Sequence, residues 1–373
     1  MLIELTSNIL VIGSLIIIGS FLMVYFIIPK VIWINKYRRL MDDPNCRSSH
    51  KRSTPTMAGF SFFLTLIIII FFINSWDKDG ISVSYIASFV IIFTIGLKDD
   101  LANATPKAKI AGEIVAVLFI LFCKGLQIPS LEGFLGIFTI PSLLSYILII
   151  VAILIIINAY NLIDGIDGLA ASIGITIFSI YALIFYAIGL NFYFLLSLSF
   201  IGMLIAYLRY NISNIDKIFM GDTGSLVIGF SISFLTLKFL SIEPLQFDHF
   251  TFFPENKIIV AIAILCIPLF DTFRVIIIRL LLKKNPFYPD RNHIHHILID
   301  NGLSHFSASL VLAVLNYIIV LILIYESSVY NSIIMVGILV FVYALFLLLF
   351  FKLKQLIRLR QKQSKELHKS AVK

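Results

Sequence analysis

Residues 147–168 read ILIIVAILIIINAYNLIDGIDG. An unbroken apolar run ends abruptly at Asn158, Asn161, Asp164 and Asp167, which recur at every third position. Together with the apolar residues before it, the run is long enough for a helix that crosses a membrane. Four polar side chains at the end of such a helix are expensive to place for structure alone. They indicate a site where the helix leaves the bilayer.

The composition of the whole chain agrees with this interpretation. Of 373 residues, 60% are hydrophobic and only 13% are charged, about half the usual share of a soluble domain. These values exclude a soluble globular enzyme and a disordered chain. Three cysteines are too few for a secreted disulfide framework, and we interpret all three as free. The sequence therefore predicts an all-α, polytopic integral membrane protein.

Apolar runs predict about eleven transmembrane helices, in one integral membrane catalytic domain (1–351) followed by a basic cytoplasmic tail (352–373). The predicted spans are approximately 9–29, 56–73, 81–97, 110–123, 140–158, 169–189, 192–208, 223–242, 258–280, 307–325 and 331–351.

The positive charges predict the orientation. Of the 29 Lys and Arg residues, 24 fall in the tail or in loops after odd-numbered spans, and three fall in the even-numbered loops. Positive charge marks the cytoplasmic side, so we expect the N-terminus outside and the C-terminus inside. The net charge of +8 is thus a topology signal, with contact to membrane lipid but no nucleic-acid partner expected.

Five polar clusters all lie in the predicted cytoplasmic loops. Asp99 and Asp100 follow span three, where two adjacent carboxylates can hold a hard cation or take a proton. The sequence GDTGS at 221–225 opens span eight, and a glycine-rich turn into a helix N-terminus offers free N–H groups to a phosphate. Asp222 in this turn suits Mg²⁺. Helix capping is the structural alternative for both the acidic pair and Asp222.

The last cluster, DRNHIHH at 290–296, combines an arginine with three imidazoles. These groups suit an anionic substrate. No cysteine stands near them, so the cluster does not indicate a zinc site. His50 is ambiguous, and we interpret His249, His305 and His368 as ordinary.

Carboxylates, imidazoles and cations at one membrane face are typical of metal-assisted phosphoryl transfer on a nucleotide diphosphate. A lipid is the expected second substrate, because two soluble substrates would not require so many spans. A transporter or channel is the alternative, but it would place its acidic groups at mid-membrane. A CDP-alcohol phosphatidyltransferase would need an arginine at Ser172 and two further aspartates downstream at set spacing, and the chain has neither.

The clusters, in this order, resemble those of the polyprenyl-phosphate N-acetylhexosamine-1-phosphate transferases. The motifs are DPN at 43–45 with Arg47, His50 and TPTMAG at 54–59; DD at 99–100; NAYNLIDGIDG at 158–168; Asn211 with FMGD at 219–222; and DRNHIHH at 290–296. Ala58 stands where the family commonly has the first of two glycines, so the exact contacts of that loop are not carried over.

The resemblance implies the reaction. Undecaprenyl phosphate would attack the β-phosphorus of a UDP-N-acetylhexosamine, UMP would leave, and a lipid-linked cell-surface glycan would begin in the bacterial plasma (inner) membrane. The histidine motif looks like the UDP-GlcNAc branch, although GalNAc or a deoxy sugar stays open. Mg²⁺, with Mn²⁺ as a substitute, would be the cofactor, and a homodimer is compatible with the resemblance.

The resemblance also implies roles for single residues. Asp222 would bind the metal, Asp99 and Asp100 would act near the lipid phosphate with Asp99 as the base, and Phe219 would stack on uracil. The remaining groups would contact the nucleotide, the diphosphate or the sugar: Lys51, Asn158, Asn161, Asp164, Asp167, Asn211, Arg291, His293, His295 and His296. Asp271 and Arg274 within span nine resemble the same branch.

The predicted orientation can be tested through the cysteines. In intact cells, a membrane-impermeant thiol reagent should label Cys123, which follows span four on the outside, and should spare Cys46 in the first cytoplasmic loop. Permeabilised cells, in which Cys46 also becomes labelled, provide the control. Labelling of Cys46 but not Cys123 in intact cells would invert the topology.

Overall fold

The computed structural model describes residues 8–43, 53–102, 104–123, 125–243, 251–285 and 292–371. Lys51 and Arg291, both predicted to contact substrate, lie outside these ranges. The helices are α1 Ile9–Arg38, α2 Gly59–Ile73, α3 Ile81–Ala102, α4 Pro106–Leu121, α5 Ser142–Ile163, α6 Leu169–Ala187, α7 Asn191–Asn211, α8 Gly221–Leu240, α9 Lys257–Ile264, α10 Cys266–Leu281, α11 Ile294–Asp300, α12 His305–Glu326 and α13 Ser332–Ala371.

The largely helical, polytopic membrane architecture is confirmed. Within the described ranges, nine helices are long and apolar enough to cross a membrane, or ten if the bent pair α9–α10 counts as one span. The fourth predicted span (110–123) corresponds to α4, which has only 16 residues. α4 starts beside the N-terminus of α8, where Lys109 contacts Asp222. The turn after α4 reaches the other end of α8, where Gly125 O accepts a hydrogen bond from Ser241 Oγ at 2.7 Å.

The ninth predicted span is broken rather than straight. α9 and α10 meet at an angle of 73°. The buried Asn316 of α12 bridges the break, because its Oδ1 accepts the Ile267 N–H (3.1 Å) and its Nδ2 donates to Ile264 O (3.2 Å). Backbone groups freed inside a membrane must find protein partners, and one asparagine supplies both here.

Two short hairpins depart from the all-α prediction. β1 (Met41–Asp42) pairs with β2 (Thr54–Pro55), and β3 (Ser130–Phe134) pairs with β4 (Ile137–Thr139), both antiparallel. They connect helices at opposite ends of the molecule.

The end of β2 is tied to the segment before α8. Pro55 O accepts the Phe219 N–H at 2.8 Å, and the Ala58 N–H donates to Phe219 O at 3.2 Å. Ala58 is fully buried and has a right-handed backbone conformation (φ −58°, ψ −23°). The methyl group at this position therefore needs no unusual backbone, and the loop still reaches Phe219.

α8 is the central helix, because 94% of the residues in its apolar stretch are buried in the protein. Glycines let two neighbouring helices approach its first turn. A β-carbon built on Gly96 of α3 would lie 2.6 Å from Thr223 Cα, and one on Gly59 of α2 would lie 2.3 Å from Gly224 N. These contacts fix the N-terminus of α8, and hence Asp222, against α2 and α3.

Gly96→Ala should destabilise the protein by about 1–3 kcal/mol, because the new methyl group meets backbone that cannot move aside. Gly19→Ala is the matched control, since a β-carbon there meets open space while the gain in helix propensity is the same. Thermal unfolding in detergent measures both variants. Equal melting temperatures would show that the contact between α3 and α8 is not tight.

Candidate functional site

Asp99 and Asp222 meet at Lys109. The Lys109 Nζ lies 2.8 Å from Asp222 Oδ1 and 3.2 Å from Asp99 Oδ2. Asp99 stands near the end of α3, Lys109 in the first turn of α4 and Asp222 in the first turn of α8. Two consecutive helices and a third that is distant in sequence thus place two carboxylates around one ammonium group.

Asp100 has a different role from its neighbour. Its Oδ1 accepts the Asp222 N–H at 2.8 Å and its Oδ2 accepts the Thr223 N–H at 3.0 Å, with a further bond from the Thr223 hydroxyl. Gly221, with φ +72°, leaves room for this carboxylate. Asp100 therefore caps α8 from another helix. The prediction that this turn offers free N–H groups to a phosphate is wrong for these two groups.

Asn161 supports Asp222 from a third side. Its Nδ2 donates to Asp222 Oδ1 at 2.6 Å and to Ser225 Oγ at 2.7 Å. Asp164 caps the C-terminus of the same helix, α5. Removal from water, followed by the charges of Asp222 and its neighbours, raises the pKa of Asp164 to about 7. The raised pKa is thus due first to burial, and the neighbouring carboxylates add to it.

Two predicted substrate ligands serve the protein itself. Asn158 donates to Glu113 Oε2 and to Leu154 O, both at 2.9 Å, and lies away from the cavity described below. Asn211 borders the cavity, but its Oδ1 accepts the Gly168 N–H at 2.6 Å and its Nδ2 donates to Ile218 O at 3.0 Å. Asn158 thus joins α5 to α4, and Asn211 holds the loops before α6 and α8 in place.

Asp167 is held by two residues that the sequence did not indicate. Lys217 Nζ lies 2.6 Å from its Oδ2, and His305 Nδ1 lies 2.9 Å from the same oxygen. Burial alone would raise the pKa of Asp167, but these hydrogen bonds and charges hold it below the ordinary value. His305, which we interpreted as ordinary, thus contacts a residue that lines the cavity. The Lys217 ammonium also lies 5.4 Å from the centre of the Phe219 ring.

The histidines of the motif have different surroundings: His293 supports the fold, and His296 lines the cavity. His293 Nδ1 lies 2.8 Å from Asp271 Oδ2, and Arg274 donates to Asp271 Oδ1 at 2.8 Å. The three residues are buried and connect α10 to the start of α11. Asp271 and Arg274 thus form a buried ion pair within the ninth predicted span.

The other two histidines approach the loop after α5. His295 is buried against Gly165, whose β-carbon would lie 2.4 Å from the imidazole Nε2. Burial, followed by the charge of His296, holds the pKa of His295 well below its ordinary value. His296 lines the cavity. It is thus the member of this motif placed to contact a substrate.

An open cavity of about 710 Å³ collects most of the predicted residues. This volume suits a small-molecule ligand. The predicted residues that line it are Asp99, Asp100, Asn161, Asp164, Asp167, Asn211, Phe219, Asp222 and His296. Arg39, Asp42, Thr56 and Ser225 also line it, and the sequence predicted no role for any of them. Thr56 and Ser225 stand inside motifs and Asp42 directly precedes one, which was the available signal.

The donors around this cavity fit a magnesium ion. No group of three or more His, Cys, Asp or Glu among the described residues forms a complete metal site by itself. Mg²⁺, however, usually binds one or two carboxylates together with phosphate oxygens and water. Asp222 would supply a carboxylate, and Asp99 stands on the other side of Lys109. We identify Asp222 as the candidate ligand for Mg²⁺ or Mn²⁺.

Comparisons with known proteins agree with these observations. The model of glycosyl transferase family 4 matches residues 82–240. A probable undecaprenyl-phosphate N-acetylglucosaminyl 1-phosphate transferase of Bacillus subtilis (strain 168) is 33% identical over 309 residues, which cover 81% of each chain. The undecaprenyl-phosphate alpha-N-acetylglucosaminyl 1-phosphate transferases of Yersinia pestis (28% identical, 71% of each chain) and Salmonella typhi (29% identical, 71% of this chain and 70% of the relative) are also similar.

The similarity to the Bacillus protein extends along most of both chains, and the matched family segment contains Asp99, Asp100, Asn161 and Asp222. The chain therefore belongs to glycosyl transferase family 4, the polyprenyl-phosphate N-acetylhexosamine-1-phosphate transferases that its motifs resemble.

Proposed function

We propose that the protein transfers GlcNAc-1-phosphate from UDP-GlcNAc to undecaprenyl phosphate, releasing UMP and starting a lipid-linked cell-surface glycan. The observation that carries this proposal is the convergence of Asp99 and Asp222 on Lys109 at a cavity where membrane helices end. At that position a soluble nucleotide sugar and a membrane-held lipid phosphate can reach the same carboxylates. The names of the relatives support the choice of sugar and lipid.

In the proposed reaction, a phosphate oxygen of the lipid attacks the β-phosphorus of the donor. The bond from that phosphorus to the oxygen bridging the two phosphates breaks, and UMP leaves with the bridging oxygen. Asp99 accepts a proton from the lipid phosphate where it is protonated. A divalent ion held by Asp222 would neutralise charge on the diphosphate. Asp100 and Asn161 keep Asp222 in place, as their hydrogen bonds indicate.

The rest of the cavity suits the nucleotide. The half-buried Phe219 ring offers a face for the uracil, and Arg39 and His296 offer hydrogen-bond donors to anionic oxygens. Asp167, kept ionised by Lys217 and His305, is placed to accept hydrogen bonds from ribose or uracil.

We also propose that the cavity faces the cytoplasm of a bacterial plasma membrane. The loops that carry its lining residues are those with the excess of Lys and Arg, which positive-inside orientation assigns to the cytoplasm. UDP-sugars are made in that compartment, so the donor would reach the cavity directly.

The purified protein, supplied with undecaprenyl phosphate and Mg²⁺ in detergent, should release UMP from UDP-GlcNAc faster than from other UDP-sugars. Asp222→Ala and Asp99→Asn should each lower the rate by at least about a hundredfold, because each removes charge stabilisation or proton transfer from the reacting groups. Glu243→Gln, an exposed change at the far end of α8, is the matched control. Wild-type rates in either aspartate variant would remove that residue from the mechanism. Failure to release UMP from any donor would reject the transfer reaction.

Chelation provides a separate test of the cofactor. EDTA should abolish UMP release, and excess Mg²⁺ or Mn²⁺ should restore it, because the diphosphate charge would otherwise remain uncompensated. Addition of Ca²⁺, which prefers more ligands and longer bonds, should restore much less activity. Activity that does not change with EDTA would exclude the metal-assisted mechanism.

A further inference from the structure

Glu113 is a buried acid that the proposed reaction does not use. It lies in α4 with 0% of its surface exposed. Its Oε2 accepts the hydrogen bond from Asn158, but none of the described residues donates a hydrogen bond to its Oε1. A buried carboxylate oxygen without a partner is costly, and an acidic residue inside a membrane segment is expected to have a functional partner.

Lys109 stands four residues before Glu113 on the same helix. Side chains at this spacing are neighbours on one helix face, within reach of an ion pair. The charges of Lys109 and Asp222 already act on Glu113 in the present arrangement. Lys109 nevertheless points to Asp222 and Asp99, and the nearer contact is 2.8 Å to Asp222 Oδ1.

A divalent ion on Asp222 would disturb that arrangement. Asp222 Oδ1 already receives hydrogen bonds from Lys109 and Asn161. A metal ion on the same carboxylate would place a double positive charge beside the lysine ammonium, and like charges so close repel strongly where little water screens them. Lys109 then needs another carboxylate, and the unpartnered oxygen of Glu113 lies one helical turn away.

We propose that Lys109 has two positions. Without a divalent ion it neutralises Asp222 and Asp99, and on cation binding its ammonium moves to Glu113, one turn deeper in α4. This inference rests on the proposed function in one respect, the assignment of the cation to Asp222. Glu113 is thereby a positioning residue: it acts on the cation through Lys109 and does not touch substrate.

Cation binding to the full chain in detergent tests the inference without any turnover. The probe is Mn²⁺, and the free Mn²⁺ signal in electron paramagnetic resonance gives the dissociation constant. Glu113→Gln keeps the size of the side chain and an acceptor for Asn158 but removes the charge. It should weaken Mn²⁺ binding by roughly tenfold, which corresponds to about 1.4 kcal/mol.

Two further variants locate the effect in Lys109. Lys109→Met removes the competing ammonium and should bind Mn²⁺ at least as tightly as the wild type. In that background Glu113→Gln should have no additional effect, because no lysine remains to be relocated. Glu243→Gln is the matched control for loss of one acidic charge, and it should bind like the wild type.

Four results would overturn the inference. Wild-type affinity in Glu113→Gln would show that Glu113 only supports Asn158. An equal loss in the Lys109→Met background would show that Glu113 acts without the lysine. Weaker binding in Lys109→Met alone would show that the lysine assists the cation, and this result decides the question even if Glu113→Gln does not fold. Absence of Mn²⁺ binding in the wild type would instead reject the metal site, and the relocation with it.

Discussion

The hydrogen bonds from the first turn of α8 to Asp100 are the interaction on which the site depends. They join the end of α3 to the start of the most deeply buried helix, and they direct the Asp222 side chain into the cavity. A carboxylate at a helix N-terminus is also favoured by the helix dipole. The bonds place one negative charge where the backbone can compensate it, so Asp100 can stand near Asp99 and Asp222 without a cation of its own.

Close helix packing makes this interaction possible. Gly59 and Gly96 let α2 and α3 approach the backbone of Thr223 and Gly224, and Gly221 leaves space for the Asp100 carboxylate. Helices in a membrane gain little from burying apolar surface against one another, since lipid is equally apolar, and small residues allow the close contacts that hold them together. The glycines around α8 thus position the chemistry as well as the helices.

The sequence predicts the architecture well because a membrane imposes it. Long apolar runs must be helices that satisfy their own backbone, and polar groups must leave the bilayer, so the cavity residues from Asp99 to Asp222 could be grouped at one face. Periodicity could not show which amides face a ligand. Asn158 and Asn161 both follow an apolar run, yet Asn158 turns to Glu113 and Asn161 turns to Asp222.

The spacing of residues along the sequence also could not predict contacts between residues that are distant in sequence. Lys217 and His305 approach Asp167 from different segments, and neither stands in a motif. The break between α9 and α10 escaped prediction for the same reason. Its backbone groups are satisfied by Asn316, which lies about fifty residues further along the chain and reads as an ordinary polar residue in an apolar helix.

Charge balance explains why a lysine stands between carboxylates that are proposed to hold a metal. Asp99, Asp100, Asp164 and Asp222 line one cavity, and their mutual repulsion would oppose folding before any cation or substrate binds. Lys109 relieves that repulsion in the protein alone, while Asp100 is compensated by the α8 backbone. None of the described residues compensates the Asp164 carboxylate in this way, and its pKa, raised first by burial, lets it reduce its charge by binding a proton near neutral pH. The cavity therefore tolerates its acidic residues through three separate means, and the lysine is the one that we propose a metal ion displaces.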